Sequence, residues 1–167
     1  MTTAEFNALS DAEARAELLR CCGSTFWAEE TARRRPFADK AAVLAAADAA
    51  WGWAVEKDWL EAFSHHPRIG GKDALRAKFA ATKAWAEGEQ SAVAAAGEET
   101  LDALEKGNAY YESRFGFIFI VCATGKSAVE MLSLLRARLP NERAHELRIA
   151  AAEQAKITKI RLEKLLT

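Results

Sequence analysis

The 167-residue sequence predicts an all-α fold, a single compact multi-helix domain over residues 1–167 with no β-sheet. Three observations predict it. Thirty-seven residues are alanine while glycine numbers 9 and proline 3, and alanine is the best helix former and a poor strand former. Cap residues recur ahead of segments whose apolar positions fall three and four apart. Only Phe115 to Val121 reads as a strand, and one strand cannot make a sheet. A chain of this length buries roughly two thirds of its unfolded surface, enough for one core without disulfides or metal.

Taken in order, Ser10 with Glu13 forms a capping box that opens a helix over 11–22, and Gly23 offers it a left-handed terminator. Ser24 or Thr25 starts a short helix carrying Phe26 and Trp27. Arg33 to Arg35 end it as a solvated basic turn before Pro36. Asp39 caps an alanine-rich helix through Trp51 and Trp53, and Val55 to Phe63 continues the period with Trp59, Leu60 and Phe63 on one face. Aromatic residues at this spacing are expected in the core. Pro67 and Gly70-Gly71 make Ser64 to Gly71 a loop. Helical patterns resume over Asp73 to Trp85, Glu87 to Ala96 and Glu98 to Arg114, the last with a stripe of Leu101, Leu104 and Tyr111. Phe115 to Val121 is then a buried extended segment or an all-round apolar helix. A helix from Ser127 to Leu139 stops at Pro140, and a final one runs from Asn141, as N-cap, to about Leu165.

Charge and patterning exclude several function classes. Twenty-three basic against 24 acidic residues leave a net charge of −1, so no positive field attracts nucleic acid or an anionic membrane. No apolar run approaches the ~18 residues a spanning helix needs. Cys21 and Cys22 are adjacent and Cys122 is remote, which gives neither a metal spacing nor a disulfide framework and fits a reducing cytoplasm. The acidic N-terminal stretch lacks the basic and apolar blocks of an export signal. FIFIVCATGKSA imitates a phosphate-binding loop, but Ile120 stands where the first glycine is required. His65 and His66 point to opposite sides of an extended chain, far in sequence from His145, so no metal is expected. A histidine in a Pro/Gly-bounded loop at a helix carboxyl end is instead placed for acid–base work, because the dipole favours its protonated form. An ordinary surface histidine is the competing reading.

The company of His66 decides between them. CCGSTFWA from Cys21, RRPF from Arg34, HPRIG from His66 to Gly70, Glu89-Gln90, YESRFGFIFIVCATGKSA from Tyr111 to Ala128, and ELR with KITKIRL from Glu146 to Leu162 follow one another in order. Together they resemble the 2-oxo-4-hydroxy-4-carboxy-5-ureidoimidazoline (OHCU) decarboxylases of urate breakdown, over nearly the whole chain. The resemblance implies a cofactor-free, all-helical, homodimeric decarboxylase that converts OHCU to (S)-allantoin. It makes His66 the proton donor, Glu89 the catalytic carboxylate and Arg161 the third catalytic residue. It places substrate binding on Pro67, on Ala86, Glu87, Gly88 and Gln90 of the family's S-x-x-E-Q stretch, and on Phe119, Ile120, Val121, Cys122 and Ala123. Ala86 stands where the family has serine, which removes one hydroxyl contact at a cost of about 1 kcal/mol. Glu87 competes with Glu89, and Arg148 with Arg161.

The residue types suit the chemistry. Loss of carbon dioxide leaves a carbanion that the adjacent ring unit can delocalise, so no separate electron sink is required. An arginine fork can grip the leaving carboxylate, fixed donors can stabilise the developing charge, and a histidine titrating near its ordinary value of about 6.5 can return one proton to one face. Two other readings stay open: a helical small-molecule-binding or scaffold module that has lost catalysis, and a decarboxylase of a related ureido acid.

Overall fold

Helices account for all regular structure that a computed structural model of the chain shows over residues 1–68, 71–79 and 91–167, the residues described here. The order is α1 (Thr3–Ala8), α2 (Asp11–Cys21), α3 (Thr25–Ala32), α4 (Lys40–Trp53), α5 (Glu56–Ser64), α6 (Lys72–Phe79), α7 (Ser91–Phe115), α8 (Ala128–Arg138) and α9 (Arg143–Leu165). No described residue is in a strand. Phe115 ends α7 and Phe117 to Val121 is neither helix nor strand, which rules out the apolar helix for that run.

Local cap chemistry set most helix starts. Ser10 Oγ accepts from the Glu13 N–H while Glu13 accepts from the Ser10 N–H, and Ser127 and Glu130 repeat this reciprocal pair at α8. Ser24 caps α3 and Asp39 caps α4. One helix is added to the expectation and three expectations are corrected. Thr2 and Glu5 form a further capping box that opens α1, a helix too short to show periodicity. Over the described residues the helices expected on either side of Gly97 form the single α7, because one glycine costs only about 1 kcal/mol in a helix interior, and residues 87–90 of the first lie outside the described residues. Asn141 does not cap α9, which begins at Arg143; its side-chain amide donates to Glu146 Oε2 instead. Gly23 is not left-handed, a conformation confined to Gly116 and Gly125 among the described residues.

The chain divides into two compact units, each discontinuous in sequence: Met1–His66 with Ile120–Cys122 and Leu147–Thr167, and Pro67–Phe119 with Ala123–Glu146. In the first unit, Phe6, Leu18, Trp27, Val43, Ala47, Ala50 and Leu162 form the core. Alanine lets these helices approach closely enough for the Trp27 indole to donate to the Ala47 carbonyl at 3.0 Å and the Trp51 indole to that of Ala151 at 3.0 Å. Arg35 departs from the solvated basic turn: its guanidinium donates to the Leu9 carbonyl at 2.6 Å and pairs with Asp11. Phe63 of the expected stripe is buried, while Trp53 at the end of α4 is 73% exposed.

The second unit packs Leu75, Leu101, Leu104, Met131 and Leu135 around an aromatic group of Tyr111, Phe115, Phe117 and Phe119. A polar knot sits inside it. The Tyr111 hydroxyl donates to Glu146 Oε1 at 2.5 Å, Arg138 Nε donates to the same oxygen at 2.6 Å, and the guanidinium lies 4.5 Å from the centroid of the Phe119 ring. Burial and the Glu146 bond hold the Tyr111 phenol well above its ordinary range, so it stays a donor. Removing Glu146 takes a buried carboxylate partner from the buried Arg138, a loss typically costing about 3–5 kcal/mol. Glu146→Ala is therefore expected to lower the urea midpoint by an amount equivalent to at least about 3 kcal/mol; a shift under about 1 kcal/mol means the guanidinium finds water.

Candidate functional site

The first unit gathers His66, Ile120 to Cys122 and Arg161 from three remote stretches of chain. His66 follows the last turn of α5, where its N–H donates to the Phe63 carbonyl at 3.1 Å. The preceding His65 lies over Gly23 so closely that a Cβ there would sit 2.1 Å from His65 Nδ1. Glycine is thus required for the approach of another chain segment, not for its backbone angle. Thr25 at the start of α3 locks the same junction, donating through Oγ1 to Glu61 Oε1 at 2.6 Å and through its N–H to Oε2 at 3.0 Å.

The His66 ring is half-buried, with Nε2 2.5 Å from Gln154 Oε1. Gln154, fully buried on α9, passes the contact on: its Nε2 donates to Thr158 Oγ1 at 3.1 Å, and Thr158 Oγ1 donates to the Gln154 carbonyl at 2.9 Å. Arg161, one turn further along α9, is half-buried and donates through Nη1 to the Cys21 carbonyl at 3.1 Å. It lines an open cleft of about 420 Å3 with Glu17, Arg20, Cys21, Lys164 and Leu165. Arg148, its competitor, is exposed.

Electrostatics reverse one expectation. Burial pushes the His66 pKa down; the Gln154 bond resists this, and the positive Arg161 and the neighbouring His65 reinforce it. These effects favour the neutral ring, where the helix terminus alone suggested a protonated one. Cys21 and Cys22 are pushed up to about 11 by burial and stay thiols, so neither is a nucleophile at neutral pH. Ile120 and Cys122 are buried and Val121 half-buried, and the Cys122 N–H donates to Glu153 Oε2 at 2.7 Å. That donor, expected to meet a ligand, is held by a carboxylate of α9.

Pro67, Phe119 and Ala123 belong to the second unit, where Pro67 is exposed, Phe119 buried under Arg138 and Ala123 half-buried. Ala86, Glu87, Gly88, Glu89 and Gln90 lie outside the described residues. Among the described residues no group of three His, Cys, Asp or Glu side chains could hold a metal ion, and no helix is long and apolar enough to cross a membrane. The Gly-Lys-Ser decoy is spent on structure: Gly125 is left-handed, the Lys126 N–H donates to the Ala123 carbonyl, and Ser127 caps α8.

Residues 7–163 match the family model described as OHCU decarboxylase. The chain belongs to the OHCU decarboxylase family. It is 37% identical over 145 residues to the uric acid degradation bifunctional protein TTL of Arabidopsis thaliana, covering 87% of this chain and 45% of that protein. It is 38% identical over 106 residues to the 2-oxo-4-hydroxy-4-carboxy-5-ureidoimidazoline decarboxylase of Amia calva, covering 60% and 57%. The chain thus spans about half the length of these curated relatives. A crystal structure of OHCU decarboxylase in the presence of (S)-allantoin superposes with a TM-score of 0.71 at 36% identity, covering 89% of this chain and 96% of that one. A crystal structure of (S)-allantoin synthase shares the fold at 18% identity, with a TM-score of 0.69 over 99% of this chain and 54% of that one.

Sequence reasoning missed Gln154, Thr158 and Glu153 in this OHCU decarboxylase family member. A signal existed: Gln154, Thr158 and Arg161 fall at i, i+4 and i+7, which places the three on one face of α9. Two expectations follow from the neutral His66. As pH falls, the unfolded chain protonates this histidine first, near its ordinary 6.5, so the site's contribution to stability is full above about pH 6.5 and declines below it until the folded pKa is passed. The stability of the wild type relative to His66→Gln should therefore fall between pH 7 and pH 5; a rise would mean a folded pKa above the unfolded one. In Arg161→Gln, an NMR titration should show the His66 pKa moving up, since a positive neighbour is gone. No movement would separate the guanidinium from the imidazole.

Proposed function

We propose that the chain is a single-domain carboxy-lyase over residues 1–167 that decarboxylates OHCU to (S)-allantoin in urate degradation, without a cofactor, as a homodimer in the cytoplasm. The observation that carries the reading is the half-buried, neutral His66 under the field of Arg161 in a chain of this family. In this reading the Arg161 guanidinium receives the substrate carboxylate. The incoming negative charge offsets the positive field that depresses His66, and the ring takes up a proton as substrate binds. The carbon–carbon bond to the carboxylate breaks, its electron pair passes into the adjacent carbon–nitrogen unit of the ring, and carbon dioxide leaves. Protonated His66 then returns one proton to one face of the carbanion, which sets the product's chirality.

Glu89 is assigned as the partner carboxylate, and Gln90, Ala86, Glu87 and Gly88 to the substrate, on the family motif alone. Pro67 and Phe119 to Ala123 are assigned to the substrate on the same basis. The buried, protonated thiols of Cys21 and Cys22 support a reducing compartment.

The test is to generate OHCU from urate with uricase and the hydrolase that follows it, then record optical activity with and without the protein. Rapid formation of (S)-allantoin is expected, unaffected by EDTA. His66→Ala should fold normally and lose on the order of 10²–10⁴ in rate together with the stereochemical bias. Racemic product at the spontaneous rate with the wild type would remove the enzyme reading and leave a binding module of the same fold.

A further inference from the structure

The hydrogen bonds behind His66 determine more than its position. Thr158 Oγ1 reaches the Gln154 carbonyl at 2.9 Å, the back-bond to residue i−4 that hydroxyls make inside helices. The Cys22 thiol is the hydroxyl's other neighbour, but sulfur is a weak acceptor and the carbonyl a strong one, so the hydroxyl proton goes to the carbonyl. With its proton spent, Oγ1 can only accept from the Gln154 side chain. The amide must turn its NH2 toward Thr158, at 3.1 Å, and its carbonyl oxygen toward His66, at 2.5 Å. An amide oxygen cannot donate, so the facing imidazole nitrogen carries the hydrogen.

We infer that Thr158, acting through Gln154, holds neutral His66 as the Nε2–H tautomer, so that the proton delivered in decarboxylation is taken up and released at Nδ1. Nδ1 has no hydrogen-bond partner among the described residues. The two charged or titratable groups that act on the ring, Arg161 and His65, are one a permanent cation and the other a like-charged histidine when protonated, and neither accepts the Nε2 proton. Gln154 and Thr158 are positioning residues: they act on the substrate through His66. The mechanistic half of this inference rests on His66 as the proton donor; the tautomer itself does not.

The two halves are separable by experiment. A long-range 1H–15N correlation spectrum of 15N-histidine-labelled wild-type protein, taken more than a unit above the ordinary pKa of about 6.5, reads the tautomer without substrate. The expected pattern for His66 is a pyrrole-like Nε2 and a pyridine-like Nδ1; a pyrrole-like Nδ1, or an averaged pair, overturns the inference. Thr158→Val, which keeps the shape and loses the hydroxyl, frees the amide to turn. It should move both ring shifts toward the averaged pattern and lower kcat about tenfold or more, with KM changed less than about twofold. Thr158→Ser should keep the wild-type shifts. Unchanged shifts and kcat in a folded Thr158→Val would show that the hydroxyl does not set the ring. An Nε2–H ring in a protein that does not turn over OHCU would instead strike the proposed activity and leave the tautomer standing.

Discussion

The desolvation of one imidazole organises the first unit. Burying an ionisable ring is costly unless its polar atoms are satisfied, and the chain meets that cost with a fully buried glutamine, itself fixed by a buried threonine. The surrounding structure serves this contact. Gly23 leaves out a side chain so that His65 can lie against it, Thr25 clasps Glu61 so that the end of α5 cannot drift, and the Cys21 carbonyl tethers Arg161. Each of these is a minor interaction alone. Together they keep a guanidinium and a neutral histidine near one another, an arrangement that is electrostatically unfavourable for a protonated ring until an anion joins them.

The helical architecture was legible in the sequence because cap chemistry is local. Ser10, Ser24, Asp39 and Ser127 each find their acceptor role within three residues, so the signal lies inside one turn. Failures occurred where distant residues decide. Arg35 looks like a solvated helix end until the Leu9 carbonyl, 26 residues earlier, is brought against it. Asn141 has the chemistry of a cap, but the buried Glu146 claims its amide. Trp53 shares the composition of a core residue and lies on the outer side of its helix end.

The candidate site was legible in a different way. The family resemblance carried by HPRIG and KITKIRL implies roles for His66 and Arg161, while periodicity alone treats the first as a loop residue and the second as a surface cation. Nothing local foretold that His66 would be neutral, because its burial comes from packing against α9, 88 residues away from its Gln154 partner. The same separation hid Gln154 and Thr158. A glutamine and a threonine in a helix read as solvent-facing until the element that buries them is known.

The first unit is closed by residues 147–167, and its site is completed by residues 120–122. A ribosome releasing this chain therefore exposes the first five helices, with their apolar faces, well before the helix that covers them exists. Closure of the unit must wait for residues 147–167, so its early intermediates carry unburied Phe6, Leu18 and Trp27 until α9 emerges. The histidine, the amide and the guanidinium come together only once α9 has docked, which ties any chemistry of the site to closure of this unit.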